Sequence, residues 1–141
     1  MSIESYVLPE ARTSYFMNVG TLIYGAGASK TVGFEAKRLA IGKEPVLLVT
    51  DKGLMRAGIP DRIREVIEKE GLRVDIYDEL AAEPTLESMR KLSEKSRERK
   101  YSLVVGVGGG AVMDSAKTAA VMATNPGDVK DYMAYTEDRD R

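Results

Sequence analysis

At 141 residues and 43% apolar side chains, the chain has the size of one compact domain and enough hydrophobic material for a single core. Its 21 basic side chains nearly cancel 22 acidic ones. The resulting net charge of -1, without a long basic run, excludes recruitment of nucleic acid or an anionic membrane by charge alone. With no cysteine and no histidine, the chain itself contains no disulfide, thiolate nucleophile, imidazole metal ligand or Ser-His-Asp triad. Any chemistry here uses carboxylates, lysines, hydroxyls and backbone, or groups borrowed from elsewhere.

The opening residues 1–6 lack a charged start followed by an apolar stretch, so a secretory signal is not expected. Residues 15–19 and 21–24 are rich in β-formers and broken at Gly20, which predicts a hairpin of two short strands at a sheet edge. Gly25 and Gly27 are read as turn and packing glycines leading into a helix with Val32, Ala36, Leu39 and Ala40 on one face, closed by Gly42. Residues 46–50 form a continuous apolar run of the kind found in strands buried on both faces.

A short helix is expected near residues 53–57 and a longer one over 61–70, with Ile63, Val66 and Ile67 as its stripe and Gly71 at its end. A strand follows at residues 72–77. Pro84 and Thr85 open a charged helix running to Arg99, with Leu86, Met89 and Leu92 facing inward. Residues 102–107 make the next buried strand, and a helix runs from about Gly110 through Ala123. The apolar runs at 45–49 and 103–105 are of strand length and too short to cross a bilayer as helices. After Asn125-Pro126-Gly127 a short helical piece covers residues 128–133. Residues 1–135 are therefore expected to form one domain, and 136–141, with no apolar anchor, a disordered tail or linker.

Strands alternating with helices in units of about 30 residues predict an α/β fold: a mainly parallel sheet with helices on both faces and an N-terminal β-hairpin. The most informative stretch is Gly106-x-Gly108-x-x-Ala111, after a strand and before a helix, as a Rossmann-like dinucleotide fingerprint requires. Glycines remove each Cβ where the chain turns, so the backbone approaches a pyrophosphate closely, and free N–H groups at the helix start face its charge. Asp114 and Lys117 follow on one helix face, either serving the ligand or forming a surface pair. The acidic residue expected about 20 residues beyond the glycines is missing; Asp51, directly after the strand at 46–50, is the candidate in its place.

These residues resemble the iron-containing, group III alcohol dehydrogenases, within the wider dehydroquinate synthase-like fold. The family's GGGSxxDxAK loop stands here as Gly108-Gly109-Gly110-Ala111-Val112-Met113-Asp114-Ser115-Ala116-Lys117, with alanine for serine. The resemblance implies that Gly108, Gly109, Gly110 and Ala111 bind the cofactor pyrophosphate, with Asp114 and Lys117 close by. The family's TDxGL stands as Thr50-Asp51-Lys52-Gly53-Leu54. There the aspartate is associated with the adenosine ribose and implies NAD, with NADP less favoured, because a carboxylate accepts from the 2′-hydroxyl and repels a 2′-phosphate. The family's PNPT stands as Ala82-Glu83-Pro84-Thr85, so glutamate occupies the place of a cofactor-holding asparagine.

The likeness spans residues 14–135 and matches the front part of the family's chain. By resemblance, the parent reaction is reversible hydride transfer between an alcohol carbon and nicotinamide. Iron or zinc on a helical C-terminal domain polarises the oxygen there. This chain is expected to lack that domain, to bind the dinucleotide and not to turn over alone. A cytoplasmic homodimer is expected, with no nucleic-acid or membrane partner and with a small alcohol or aldehyde as the parent's substrate. Three other readings remain: another superfamily member, such as a glycerol dehydrogenase, glycerol-1-phosphate dehydrogenase or dehydroquinate synthase; a non-catalytic nucleotide-binding module; or an α/β domain without a ligand.

Overall fold

The computed structural model describes residues 20–80 and 83–132. Three parallel strands, β1 (Val46–Val49), β2 (Val74–Tyr77) and β3 (Leu103–Gly106), form a sheet in the order β2-β1-β3. Five helices connect and flank them: α1 (Val32–Leu39), α2 (Lys52–Arg56), α3 (Ile59–Glu68), α4 (Leu86–Glu98) and α5 (Gly110–Thr124). The apolar run at 46–49 takes the central position because it alone is buried along its whole length.

Alternation along β1 divides the core. Val46 and Leu48 pack with Ala36 of α1 and Ile67 of α3 on one face, while Leu47 and Val49 pack with Leu92 of α4 and with Val112, Ala116 and Ala119 of α5 on the other. Each fully buried leucine of this strand contributes about 1.5–3 kcal/mol. Helices thus cover both faces, as the alternating pattern predicts. None of the described helices is long and apolar enough to cross a membrane.

Several local expectations are corrected. Residues 21–24 are not in a strand, and the other half of the expected hairpin, residues 15–19, lies outside the described residues, as does the tail at 136–141. Gly25 and Gly27 have φ values of +141° and +81°, and an added Cβ at Gly25 meets nothing, so these are turn and not packing glycines. They lead through a 3-10 turn, Ala28–Thr31, into α1.

Leu39 is 50% exposed; the packed face of α1 carries Gly33 and Ala36 instead. A Cβ at Gly33 would lie 2.3 Å from the Val66 carbonyl oxygen, so glycine sets the close crossing of α1 and α3. On α4, Leu92 is fully buried, but the other buried residues are Ser93 and Ser96, whose hydroxyls donate to the carbonyls of Met89 and Ser93. Satisfying the hydroxyls within the helix makes these small polar residues compatible with burial.

The first turn of α4 is closed by a capping box: Thr85 Oγ1 accepts from Ser88 N at 3.1 Å and Ser88 Oγ accepts from Thr85 N at 2.9 Å. Arg97, near the end of α4, donates to the carbonyls of Met122, Asn125 and Gly127, and Arg90 forks onto Asp128. These bonds fasten the end of α5 and the following turn to α4. The expected helical piece at 128–133 is a 3-10 turn, Val129–Tyr132.

Candidate functional site at the carboxyl end of the sheet

At the carboxyl end of β1, the backbone N–H of Thr50 donates to the Tyr77 carbonyl at 2.9 Å, and the N–H of Val107 donates to the Val49 carbonyl at 2.9 Å. The buried Thr50 hydroxyl adds a third link, donating to the Val107 carbonyl at 2.8 Å. This cross-tie fixes the next residue, Asp51, opposite the glycine loop that follows β3. Asp51 has extended backbone and its Oδ1 accepts from the N–H of Leu54 at 2.9 Å, so it caps α2. Between them lies an open cleft of about 510 Å³ lined by Asp51, Lys52, Gly53 and Arg56 on one rim and Gly109, Gly110, Ala111 and Val112 on the other, with Leu80 at its side. A crevice outside the carboxyl ends of parallel strands is where ligands of α/β sheets bind.

The glycines of the loop have different physical reasons. A Cβ at Gly106 would lie 2.9 Å from the Ala116 Cβ, and one at Gly108 would lie 2.6 Å from the Val112 side chain; both let β3 pack closely on α5. At Gly109 and Gly110 an added Cβ would meet nothing within 4 Å, and neither residue has a positive φ. Neither packing nor backbone strain therefore accounts for glycine there, and both residues border the cleft. They stand at the start of the 15-residue helix α5, whose first N–H groups and dipole favour an anion.

Of the candidate residues, the structure brings Asp51, Gly109, Gly110 and Ala111 to one cleft. Gly108 lies behind them against Val112. Asp114 and Lys117 pair with each other at 3.0 Å, with side chains 74% and 76% exposed, and do not line the cleft. Asp114 borders a neighbouring hollow of about 200 Å³ with Pro84, Thr85 and Thr118. Glu83 is exposed. Sequence reasoning missed Thr50, whose hydroxyl ties the rims, and Lys52 and Arg56, which share the lining with Asp51. The spacing of those two cations, one helical turn apart directly after Asp51, is the signal that identifies them.

Away from the cleft lining, Tyr77 at the end of β2 is buried in the core cluster with Leu92 of α4, and burial followed by the nearby Glu79 carboxylate pushes its phenol above the usual tyrosine range. Among the described residues no three His, Cys, Asp or Glu side chains come together to hold an ion, and the sequence contains neither histidine nor cysteine. The open glycines Gly109 and Gly110 stand at the helix start on the rim of the cleft.

Comparison with known proteins gives the same direction. The family model described as iron-containing alcohol dehydrogenase matches residues 20–141. Long-chain-alcohol dehydrogenase 1 of Geobacillus thermodenitrificans (strain NG80-2) is 39% identical over 115 residues, covering 82% of this chain and 29% of that protein. The choline dehydrogenase of Bacillus subtilis (strain 168) is 36% identical over 111 residues, covering 79% of this chain and 27% of that protein. Among solved structures, the NADH-dependent butanol dehydrogenase A of Thermotoga maritima superposes with a TM-score of 0.73 at 29% identity, over 84% of this chain and 30% of that one. The chain thus spans less than a third of the length of each of these relatives. Sequence motif, parallel sheet and matched relatives agree: the chain belongs to the iron-containing alcohol dehydrogenase family.

Proposed function

We propose that this chain is the NAD-binding region of an alcohol dehydrogenase of the iron-containing type, serving reversible hydride transfer between an alcohol and the nicotinamide. The observation that carries the reading is the pair of open glycines. Gly109 and Gly110 face a cleft with no packing or conformational reason to lack a side chain, at the start of a long helix. Backbone of Gly109, Gly110 and Ala111 would take the pyrophosphate, and Asp51, with one carboxylate oxygen on the Leu54 N–H, would offer the other to the adenosine ribose. The nicotinamide, when bound, supplies the group that accepts or returns the hydride. The chain's own part is to hold and orient it; with no histidine and no described metal cluster, this stretch leaves polarisation of the alcohol oxygen to residues outside it.

Calorimetric titration of the chain with NAD tests this: saturable binding is expected, together with no alcohol oxidation by the isolated chain. No heat of binding up to millimolar NAD would overturn it. Residues 1–135 as one domain with a tail at 136–141, a cytoplasmic location and self-association as a dimer complete the proposal. Leu22, Ile23 and Tyr24, three consecutive apolar residues that are 72%, 43% and 95% exposed, support the last of these. A monomer that does not change with concentration in sedimentation would remove the dimer from it.

A further inference from the structure

A second hollow, of about 340 Å³, shares no lining residue with the cleft. Tyr77, Asp78 and Glu79 at the end of β2 form one wall, and Lys91, Lys95 and Glu98 of α4 form the other. Ile76 also borders it, but its side chain packs on the opposite face of the sheet, so what it offers here is backbone. Among the described residues β2 is an edge strand, and the Tyr77 carbonyl is turned to the Thr50 N–H at the end of β1. The alternate residue, Ile76, therefore turns its own N–H and carbonyl outwards from the sheet.

The two lysines are already matched: Lys91 pairs with Glu87 at 3.1 Å and Lys95 with Glu98 at 2.8 Å. Among the described residues Asp78 and Glu79 form no ion pair. Tyr77 is only 8% exposed, and its buried hydroxyl has no hydrogen-bond partner among those residues. After burial, the groups that act on its phenol are Glu79, Lys91 and Asp78; all three line this hollow, which puts the hydroxyl at its wall. A buried polar group left without a partner is costly, so a ligand that completes its bonding gains what the empty site lacks.

We infer that this hollow binds a small organic ammonium group, with Asp78 and Glu79 supplying the charge and the Tyr77 oxygen and the Ile76 carbonyl supplying neutral acceptors. A primary ammonium carries N–H donors and no acceptor, which matches a wall whose unengaged groups are mostly acceptors. An anion would meet two uncompensated carboxylates, because the lysines are held by Glu87 and Glu98. The site does not depend on what the cleft at the glycine loop binds.

The test titrates the chain with propylammonium chloride and, separately, with tetramethylammonium chloride at matched ionic strength, followed by residue-resolved amide shifts in NMR. The two cations carry the same charge, but only the first has N–H donors. Saturable shifts at residues 76–79 and 91–98 are expected with propylammonium, with an affinity about tenfold or more above that of tetramethylammonium. Tyr77→Phe removes only the phenolic oxygen and should weaken propylammonium about threefold or more. The double variant Asp78→Asn/Glu79→Gln should weaken it about tenfold or more. Circular dichroism checks that each variant keeps the fold. Shifts that do not saturate with propylammonium, or equal responses to the two cations, overturn the proposal, and so does an unchanged propylammonium affinity in either variant.

Discussion

Replacing Gly110 by alanine separates stability from binding at a single methyl group. Gly110 is the first residue of α5, has no positive φ, and an added Cβ would meet nothing within 4 Å. Glycine within a helix is less favourable than alanine by about 0.5–1 kcal/mol; at the first position part of this is realised, so Gly110→Ala should stabilise the chain by about 0.5 kcal/mol. The same methyl projects into the space that the proposed pyrophosphate occupies. Moving the ligand off the helix start should cost at least tenfold in NAD affinity, or about 1.4 kcal/mol. Urea unfolding followed by circular dichroism measures the first effect and calorimetric titration the second. A variant destabilised by more than about 0.5 kcal/mol would show that the glycine has a packing role absent from the structure. An unchanged or raised stability with unchanged NAD binding would refute the assignment of this open face to the ligand.

Three other outcomes follow from the packing and charge of the fold. Gly33→Ala puts a Cβ 2.3 Å from the Val66 carbonyl oxygen, and a backbone atom does not yield; a loss of about 1–3 kcal/mol is expected in urea unfolding, with α1 and α3 forced apart. Among the described residues the buried Tyr77 hydroxyl has no hydrogen-bond partner, so Tyr77→Phe should raise stability by about 1 kcal/mol, and a loss of that size in the same assay would mean the hydroxyl is satisfied in solution. Asp128 is held below the usual carboxylate range, first by the hydrogen bond from Arg90 and then by the Lys130 N–H. Since the folded value is the lower one, its contribution is fully present above the unfolded carboxylate range and is lost as pH falls through the folded value. Below about pH 4 the melting temperature should therefore fall more steeply for the native chain than for Asp128→Asn, and parallel curves would discard the assignment.

Much of the fold was legible because its signals are local. The apolar run at 46–49 is buried on both faces in the centre of the sheet, and the glycine loop sits between β3 and α5 where the fingerprint requires it. The rest depended on tertiary contacts with no local mark. Gly108 and Gly109 look alike in sequence, yet one is crowded by Val112 and the other faces open space. Leu39 follows the helical period of α1 but is half exposed, and Ser96, one turn after Leu92, keeps the period of α4 without being apolar and is fully buried where α4 packs against α5. At the site, Asp51 and the glycine loop were legible as separate motifs. What joins them, the Thr50 hydroxyl on the Val107 carbonyl, spans 57 positions and is visible only once β1 and β3 pair.

That single hydroxyl makes the width of the cleft a property of the folded sheet. Because Thr50 is buried and bonded to the far rim, the rims cannot part without disturbing the β1–β3 ladder. A ligand arriving there meets a mouth already set, with little ordering left to do, and its hold on both rims reports directly on that ladder. Thermal denaturation and loss of recognition should therefore share one cooperative transition, with no intermediate that keeps the sheet but has lost the cleft.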